Sequence, residues 1–95
     1  MLVQLDGHSM FPTFRDGDIL DVDTDAYLTS SPRIGDVVLA DHPFIKNCYI
    51  IKRVHDITKD DRLILHGDST LESTDSRSFG SVALKHIRGR VVARQ

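Results

Sequence analysis

The run at residues 48–57 constrains the fold more than any other stretch, because it is the longest apolar and β-branched segment of the chain. Such residues fit the pleated surface of a β-sheet. A polar turn at residues 58–61 follows, and a second apolar segment begins directly after it. Two such segments joined by a short polar turn predict a β-hairpin.

The rest of the chain repeats this pattern of short apolar segments separated by turn-forming residues. Asp16-Gly17 marks a turn before one segment, and Pro43 and Asn47 mark a connection before another. With 95 residues, the chain is long enough for one hydrophobic core but not for two. The sequence therefore predicts a single all-β domain, residues 1–95, with a small twisted, mostly antiparallel sheet or a partly open barrel. The predicted strands are residues 1–5, 19–23, 36–41, 48–57, 62–66 and 87–93.

Composition argues against several classes of function. The formal net charge is −2, and acidic and basic residues are mixed along the chain, so no basic stripe predicts nucleic-acid binding. No run approaches the roughly 20 apolar residues of a membrane-spanning helix. Cys48 is the only cysteine, which excludes an internal disulfide and fits a reducing compartment. We therefore expect a cytoplasmic protein without a membrane span.

The five histidines form no metal-binding pattern. No two of them lie within four residues of each other, and neither HExxH nor paired cysteines occur. The aspartates at 21, 23 and 25 imitate the start of a calcium loop, but Ala26 replaces the required glycine and Pro32 the final glutamate. We therefore expect no catalytic metal and no cofactor.

Alternation along the predicted strand 48–57 gives Lys52 an unusual setting. Ile50, Lys52 and Val54 share one face, so two β-branched side chains flank the lysine. Such a lysine either extends its amine to water at an edge or is desolvated. Desolvation lowers the pKa of a lysine from about 10.4 towards neutrality, where a general base works best. A desolvated Lys52 is therefore a candidate general base, with activity that rises as the amine loses its proton.

A serine near the N-terminus is the candidate nucleophile for such a base. Ser9 lies in the segment Gly7-His8-Ser9-Met10-Phe11-Pro12-Thr13, where glycine and proline favour a sharp turn that leaves a small hydroxyl projecting. A serine becomes reactive when an adjacent base takes its proton. Met10 and Phe11 are candidates for the walls of a substrate pocket.

The polar stretch at residues 67–81 is either a surface loop or a third part of the site. A polar stretch of this length in a small domain is usually functional or disordered. Asp75 and Arg77 can form an ion pair that Arg53 can join, which would hold the stretch against the strand that carries Lys52. A hydroxyl from the stretch could then orient the lysine amine.

Together these segments resemble the serine–lysine peptidases of the signal peptidase I family, with matches from residue 7 to about residue 90. Ser9-Met10-x-Pro12-Thr13 is similar to the nucleophile box of the family, and Lys52-Arg53-Val54 is similar to its lysine box. Gly67-Asp68, followed by Ser73-x-Asp75-Ser76-Arg77-x-x-Gly80, is similar to its C-terminal signature. Secondary matches are Asp16-Gly17-Asp18 and Gly35-Asp36-Val37-Val38.

The resemblance implies a fold of the signal peptidase and repressor-autoprotease type and a role for each matched residue. Ser9 would attack the scissile carbonyl, and its backbone N–H would form the oxyanion hole. Lys52 would take the proton from Ser9, and Ser73 would orient the lysine amine. Gly7 and Ser69 depart from the family pattern, in which some members have serine at the first position and most have asparagine at the second. The residues that would brace the site through ion pairs are Arg53, Asp75 and Arg77.

The compact length and the run at residues 72–80 most resemble the nickel-type superoxide dismutase maturation proteases. This resemblance implies an endopeptidase that removes an N-terminal propeptide from a precursor, with the nickel superoxide dismutase precursor as the first candidate. We expect neither the membrane anchors nor the large inserted β-domain of membrane-bound signal peptidases. Two alternatives stay open: the soluble catalytic core of a general signal peptidase, and a non-catalytic β-barrel that binds peptides by adding a strand to a sheet edge.

Overall fold

The computed structural model describes residues 1–69 and 80–95, and strands dominate these residues. A 3-10 turn, Leu84–His86, precedes the last strand. Every predicted strand is present, and each observed end lies within one residue of the predicted end. The strands are β1 (Leu2–Gln4), β2 (Ile19–Asp23), β3 (Val37–Asp41), β4 (Tyr49–Ile57), β5 (Leu63–His66) and β6 (Ile87–Arg94).

All six strands of the described residues belong to one antiparallel sheet with the order β1-β2-β6-β3-β4-β5. The sheet does not close into a barrel, since no pairing joins β1 to β5 within the part of the chain described. The prediction of an all-β domain with a small antiparallel sheet is confirmed. The pairing of β6 with both β2 and β3 brings the last strand into the middle of the sheet.

Irregular registers bend the sheet at three of its pairings. The register shifts between Asp21 and Val22, between Leu39 and Ala40, and between Val54 and Asp56. Such β-bulges bend a strand and increase its local twist. Residues of β1, an edge strand, and the first residues of β4 line the same groove.

The sheet buries apolar side chains in two clusters, one on each face, where the sequence analysis expected a single hydrophobic core. In β3, Val37 and Leu39 belong to one cluster, whereas Val38 and Ala40 belong to the other. This division follows from the alternation of side chains along a strand, and it explains why β3 reads as a continuous apolar run. Each fully buried Val or Leu contributes roughly 1.5–3 kcal/mol to stability. The other buried members are Leu5, Met10, Leu20, Val22 and Ile51 in the first cluster, and Val54, Leu63, Leu65 and Val82 in the second.

Within the described residues, no helix is long and apolar enough to cross a membrane.

A test of the sheet centre is the substitution Gly89→Ala in β6. A Cβ atom at Gly89 would lie 2.7 Å from the carbonyl oxygen of Asp23 and 2.7 Å from a methyl carbon of Val22. Because backbone cannot yield as a flexible side chain can, we expect a loss of about 1–3 kcal/mol in the free energy of unfolding. Urea denaturation measures this loss. Val92→Ala on the same strand, where the side chain is 48% exposed, is the control and should cost less than about 1 kcal/mol. Equal stability of Gly89→Ala and the parent protein would contradict the close approach of β2 and β6.

Candidate active site

The serine segment is a loop between β1 and β2 whose base is closed by hydrogen bonds. The N–H of Leu5 donates to the carbonyl of Asp18 at 2.8 Å, and the N–H of Gly17 donates to the carbonyl of Leu5 at 2.8 Å. The N–H of Gly7 donates to a carboxylate oxygen of Asp16, also at 2.8 Å. The predicted Asp-Gly turn therefore anchors the segment that carries Ser9.

Local geometry within the loop leaves Ser9 half-buried at a bend. Gly7 has a φ angle of 91°, a conformation that residues with a Cβ atom rarely adopt. The N–H of Phe11 donates to the carbonyl of His8 at 3.1 Å, which continues the turn through Ser9. The predicted sharp turn around Ser9 is therefore present.

Met10 fixes the loop to the protein interior. Its side chain has no exposed surface and belongs to the same core cluster as Leu5 and Leu20. The interpretation of Met10 as a pocket wall is therefore replaced by a structural role, because a fully buried thioether presents no surface to a substrate. Phe11 is 46% exposed but does not line the groove described below.

Lys52 lies in the middle of β4 and is buried, with 4% of its surface exposed. It pairs with Val38 of β3, so the two side chains share a face. Val38 and Val54 belong to the second core cluster, and Ile50 packs against that cluster. The aliphatic surroundings inferred from alternation are therefore present. Burial of this kind disfavours the charged form of an amine.

The end of β5 brings the serine segment next to the lysine strand. Arg53 of β4 pairs with His66 of β5. Because the two strands are antiparallel, Lys52, which precedes Arg53, is adjacent to this pair on one strand, and Gly67, which follows His66, is adjacent to it on the other. A Cβ atom at Gly67 would lie 2.5 Å from the carbonyl oxygen of Ser9. The N–H of Ser69 donates to that same carbonyl at 2.9 Å. Ser9 is thus docked, backbone against backbone, on the chain that leaves β5 beside Lys52.

Ser9 and Lys52 line one groove with a volume of about 660 Å³. One wall comes from β1 and the residues after it, and the opposite wall comes from the start of β4 and from the β3–β4 connection. Apolar side chains make up about half of the residues that line the groove. They are Val3, Leu5, Leu39, Ile45, Tyr49, Ile50 and Ile51. The groove therefore offers a largely apolar surface to a ligand beside Ser9.

Arg53 is hydrogen-bonded to a carboxylate that the sequence analysis did not assign to it as a partner. Its guanidinium donates to both carboxylate oxygens of Asp68, each at 2.8 Å, and to the carbonyl of Gly35 at 2.8 Å. The hydroxyl of Thr13 donates to the same carboxylate. Three segments that are distant in sequence therefore meet at Asp68.

The electrostatics of this cluster follow from its hydrogen bonds. The Arg53 guanidinium holds the pKa of the Asp68 carboxyl below its ordinary value, and the Thr13 hydroxyl acts in the same direction against the opposing effect of burial. Hydrogen bonding to Asp68 raises the pKa of Arg53 in turn. Sequence analysis placed Arg53 in an ion-pair network but missed Asp68, although the Gly67-Asp68 motif contained the signal.

The remaining predicted site residues, Ser73, Asp75 and Arg77, lie outside the described residues. Their assigned roles stay predictions. Gly7 lines the groove and provides no hydroxyl there. Among the described residues, no group of three or more His, Cys, Asp or Glu side chains is arranged to hold a metal ion.

The ion pair between Arg53 and Asp68 leads to a prediction about how the stability of the protein depends on pH. The pKa of Asp68 is lower in the folded protein than in the unfolded chain. The ionised carboxylate therefore stabilises the folded state above about pH 4, and this stabilisation is lost as the pH falls through the pKa of the folded state. At neutral pH, Asp68→Asn should cost about 1–2 kcal/mol in the free energy of unfolding, and it should flatten the fall in stability below about pH 4.

Denaturation at several pH values, with both proteins compared, provides the measurement. Asp41→Asn is the control, because it removes an ion pair with Arg88, whose side chain is 55% exposed, and should cost less. An Asp68→Asn protein with the stability and acid profile of the parent would contradict the bracing role.

Comparisons with known proteins identify the family of this chain. The family model for signal peptidase, peptidase S26, matches residues 1–60. Mitochondrial inner membrane protease subunit 1 of Xenopus tropicalis is 33% identical over 107 aligned positions, which cover 93% of this chain and 64% of the relative. The chain thus spans less than two thirds of the length of that relative. Since the family match covers more than half of the chain and includes both Ser9 and Lys52, the protein belongs to the signal peptidase family, peptidase S26.

Proposed function

We propose that this protein is a serine endopeptidase in which Ser9 is the nucleophile and Lys52 the general base. The observation that carries the proposal is that a half-buried serine on a tight turn and a buried lysine line the same apolar groove. Membership of the signal peptidase family supports a protease. No cofactor or metal is required by this chemistry.

In the first half of the reaction, the Oγ atom of Ser9 attacks the scissile carbonyl carbon and its proton passes to Nζ of Lys52. The carbonyl oxygen becomes an oxyanion that accepts a hydrogen bond from the backbone N–H of Ser9. When the C–N bond breaks, the ammonium of Lys52 returns the proton to the departing amine. An ester between Ser9 and the acyl part of the substrate remains.

In the second half, water attacks the ester and Lys52 takes a proton from that water. The ester bond breaks, and Oγ of Ser9 recovers the proton. The surroundings of Lys52 support this cycle, because aliphatic neighbours favour the neutral amine that each proton transfer requires. Ser73 has the role of orienting that amine, and Asp75 and Arg77 join Arg53 in bracing the site.

The proposed substrate is the N-terminal propeptide region of a precursor protein, with the nickel superoxide dismutase precursor as the first candidate. The resemblance of residues 72–80 to the maturation proteases of that enzyme supports this choice. We further propose that the protein acts in the cytoplasm. The relative from Xenopus, named as an inner membrane protease subunit, supports a second candidate, namely a signal-peptidase-like core that acts on membrane-directed precursors.

Incubation with purified precursors tests the choice of substrate. Mass spectrometry of the new N-terminus identifies the bond that is cleaved. Cleavage of the nickel superoxide dismutase precursor at one position near its N-terminus supports the first candidate. Cleavage of a membrane-directed precursor alone supports the second.

Two substitutions test the proposed pair directly. Ser9→Ala removes the nucleophile and Lys52→Met removes the base while retaining an unbranched side chain in the same apolar surroundings. Each substitution should lower the cleavage rate by about 10³-fold or more. The reason is that nucleophile and base act together, so the loss of either one removes most of the rate enhancement that the pair provides. The readout is the rate of precursor cleavage by folded protein, with folding verified by circular dichroism.

The matched controls are Ser31→Ala and Lys59→Met, both at exposed positions outside the groove. They should cleave at the parental rate. If Ser9→Ala and Lys52→Met also cleave at that rate, the proposed chemistry is wrong and the domain is better described as a peptide-binding module.

Gly67→Ala tests the docking of the serine segment. An added Cβ atom would lie 2.5 Å from the carbonyl oxygen of Ser9 and 3.3 Å from its Cβ atom, so the serine turn must shift. Because small displacements of a nucleophile are costly, we expect activity to fall by about 10²-fold. Cleavage is measured per mole of folded protein.

Gly89→Ala is the control for Gly67→Ala, since it introduces a similar clash away from the groove. It should reduce stability but preserve activity per folded molecule. Full activity of Gly67→Ala would contradict the docking of Ser9 on this glycine.

A further inference from the structure

The connection between β3 and β4 presents apolar side chains to solvent. Phe44 is 75% exposed, Ile45 is 55% exposed, and Tyr49 at the start of β4 is 59% exposed. Single exposed apolar residues are common, but a cluster of them marks a binding surface. These three residues are close in sequence and belong to one hairpin, which we call the β3–β4 hairpin (residues 42–49).

Hydrogen bonds fix the shape of the β3–β4 hairpin. The N–H of His42 donates to the carbonyl of Cys48 at 2.8 Å and closes the hairpin at its base. The Nδ1 atom of His42 accepts hydrogen bonds from the N–H groups of Phe44 and Ile45, each at 3.1 Å. The rings of His42 and Phe44 also meet edge to face, with centroids 6.3 Å apart. The hairpin therefore holds its apolar side chains in a defined arrangement.

A second hollow of about 470 Å³ lies between the β3–β4 hairpin and the start of β6. It continues the groove of the candidate active site, because the two share wall residues. Those shared residues are His42, Ile45, Cys48 and Tyr49. Phe44 lines the second hollow and does not line the groove. The hollow therefore adjoins the groove at the hairpin, and a chain that runs along the hairpin can lie against both.

The side chains of Asp41, Lys46, His86 and Arg88 are the acidic and basic groups at the hollow, apart from His42. Arg88 and Asp41, which both line it, are paired with each other at 2.6 Å. Their charges therefore largely cancel, and neither is available as the main anchor of a charged ligand. Phe44, Tyr49 and Ile45 are the most exposed apolar side chains that line the hollow, and they favour an apolar occupant.

Strand geometry gives the distance of the hollow from the reacting atoms. Tyr49 and Lys52 are three residues apart on β4, which corresponds to about 10 Å at the rise of a β-strand. An extended substrate has the same rise per residue. A side chain in the second hollow therefore belongs to a substrate residue more than about three positions from the scissile bond.

We propose that the second hollow is a remote subsite that binds a large apolar side chain of the precursor, with Phe44 as its specificity-determining residue. This inference rests on the proposed function, since it assigns the occupant as the same extended segment that Ser9 cleaves. Selection of precursors then depends on residues far from the cleaved bond as well as on those beside it.

Fluorogenic peptides of two lengths provide the test. A short peptide extends about two residues on each side of the scissile bond, and a long peptide extends about eight residues and reaches the hollow. In a set of long peptides, each remote position is occupied in turn by Phe or by Ser. In the parent protein, kcat/KM for one such position should be about tenfold higher with Phe than with Ser, mainly through a lower KM.

Phe44→Ser should remove this preference and leave cleavage of the short peptide unchanged. Leu28→Ser is the matched control, because Leu28 is 76% exposed and lies outside both the groove and the hollow. Equal kcat/KM for Phe and Ser at every remote position would overturn the inference. A Phe44→Ser protein that retains the preference would overturn it as well.

A binding measurement separates failure of this inference from failure of the proposed function. Fluorescence anisotropy on the Ser9→Ala protein should give about tenfold tighter binding of the best Phe-containing long peptide than of its Ser counterpart, and Phe44→Ser in that background should abolish the difference. If the parent protein cleaves no peptide but this difference is present, the proposed function fails and the subsite stands. If cleavage occurs and the difference is absent, the subsite fails and the proposed function stands.

Discussion

The backbone contact between Ser9 and the end of β5 is the interaction on which the candidate site depends. Ser69 donates its N–H to the carbonyl of Ser9 at 2.9 Å, and Gly67 approaches so closely that a Cβ atom would collide with that carbonyl. Backbone groups cannot move as freely as side chains, so the contact fixes the position of the serine turn relative to the sheet. Glycine is required at residue 67 for a steric reason, independent of any preference for a turn.

A second connection reinforces the first through side chains. The carboxylate of Asp68 accepts hydrogen bonds from Arg53 of β4 and from Thr13, which lies 55 residues earlier in the chain. Paired hydrogen bonds between a guanidinium and a carboxylate restrict orientation as well as distance. The serine segment is therefore held at two adjacent points to the residues that follow β5, one through backbone atoms and one through the hydrogen bond from Thr13 to Asp68, and Asp68 is in turn paired with Arg53 of β4. In the Arg88–Asp41 pair, the arginine side chain is more exposed than that of Arg53 in its pair with Asp68. The Arg88–Asp41 pair joins β6 to β3 away from Ser9.

The strands and the candidate pair Ser9 and Lys52 could be predicted from the sequence, because both predictions depend on local patterns. Period-two alternation predicted that Lys52 would share a face with Ile50 and Val54, and the burial of those residues bears this out. Sheet order was not accessible in this way, since β6 pairs with β2 and β3 through contacts that no local segment specifies. The same limit explains Met10 and Asp68. Whether an apolar loop residue joins the core, and which carboxylate an arginine meets, is decided by how distant segments pack.

Lys52 is a basic residue that is buried beside aliphatic side chains in the middle of the sheet. An amine among aliphatic side chains loses hydration, and this loss disfavours the charged form more than the neutral one. β4 is paired on both sides, by β3 and β5, and the apolar clusters on the two faces of the sheet bury its neighbours. The groove wall includes Lys52 as well as Ser9, so the packing that buries the lysine also places it beside the serine segment.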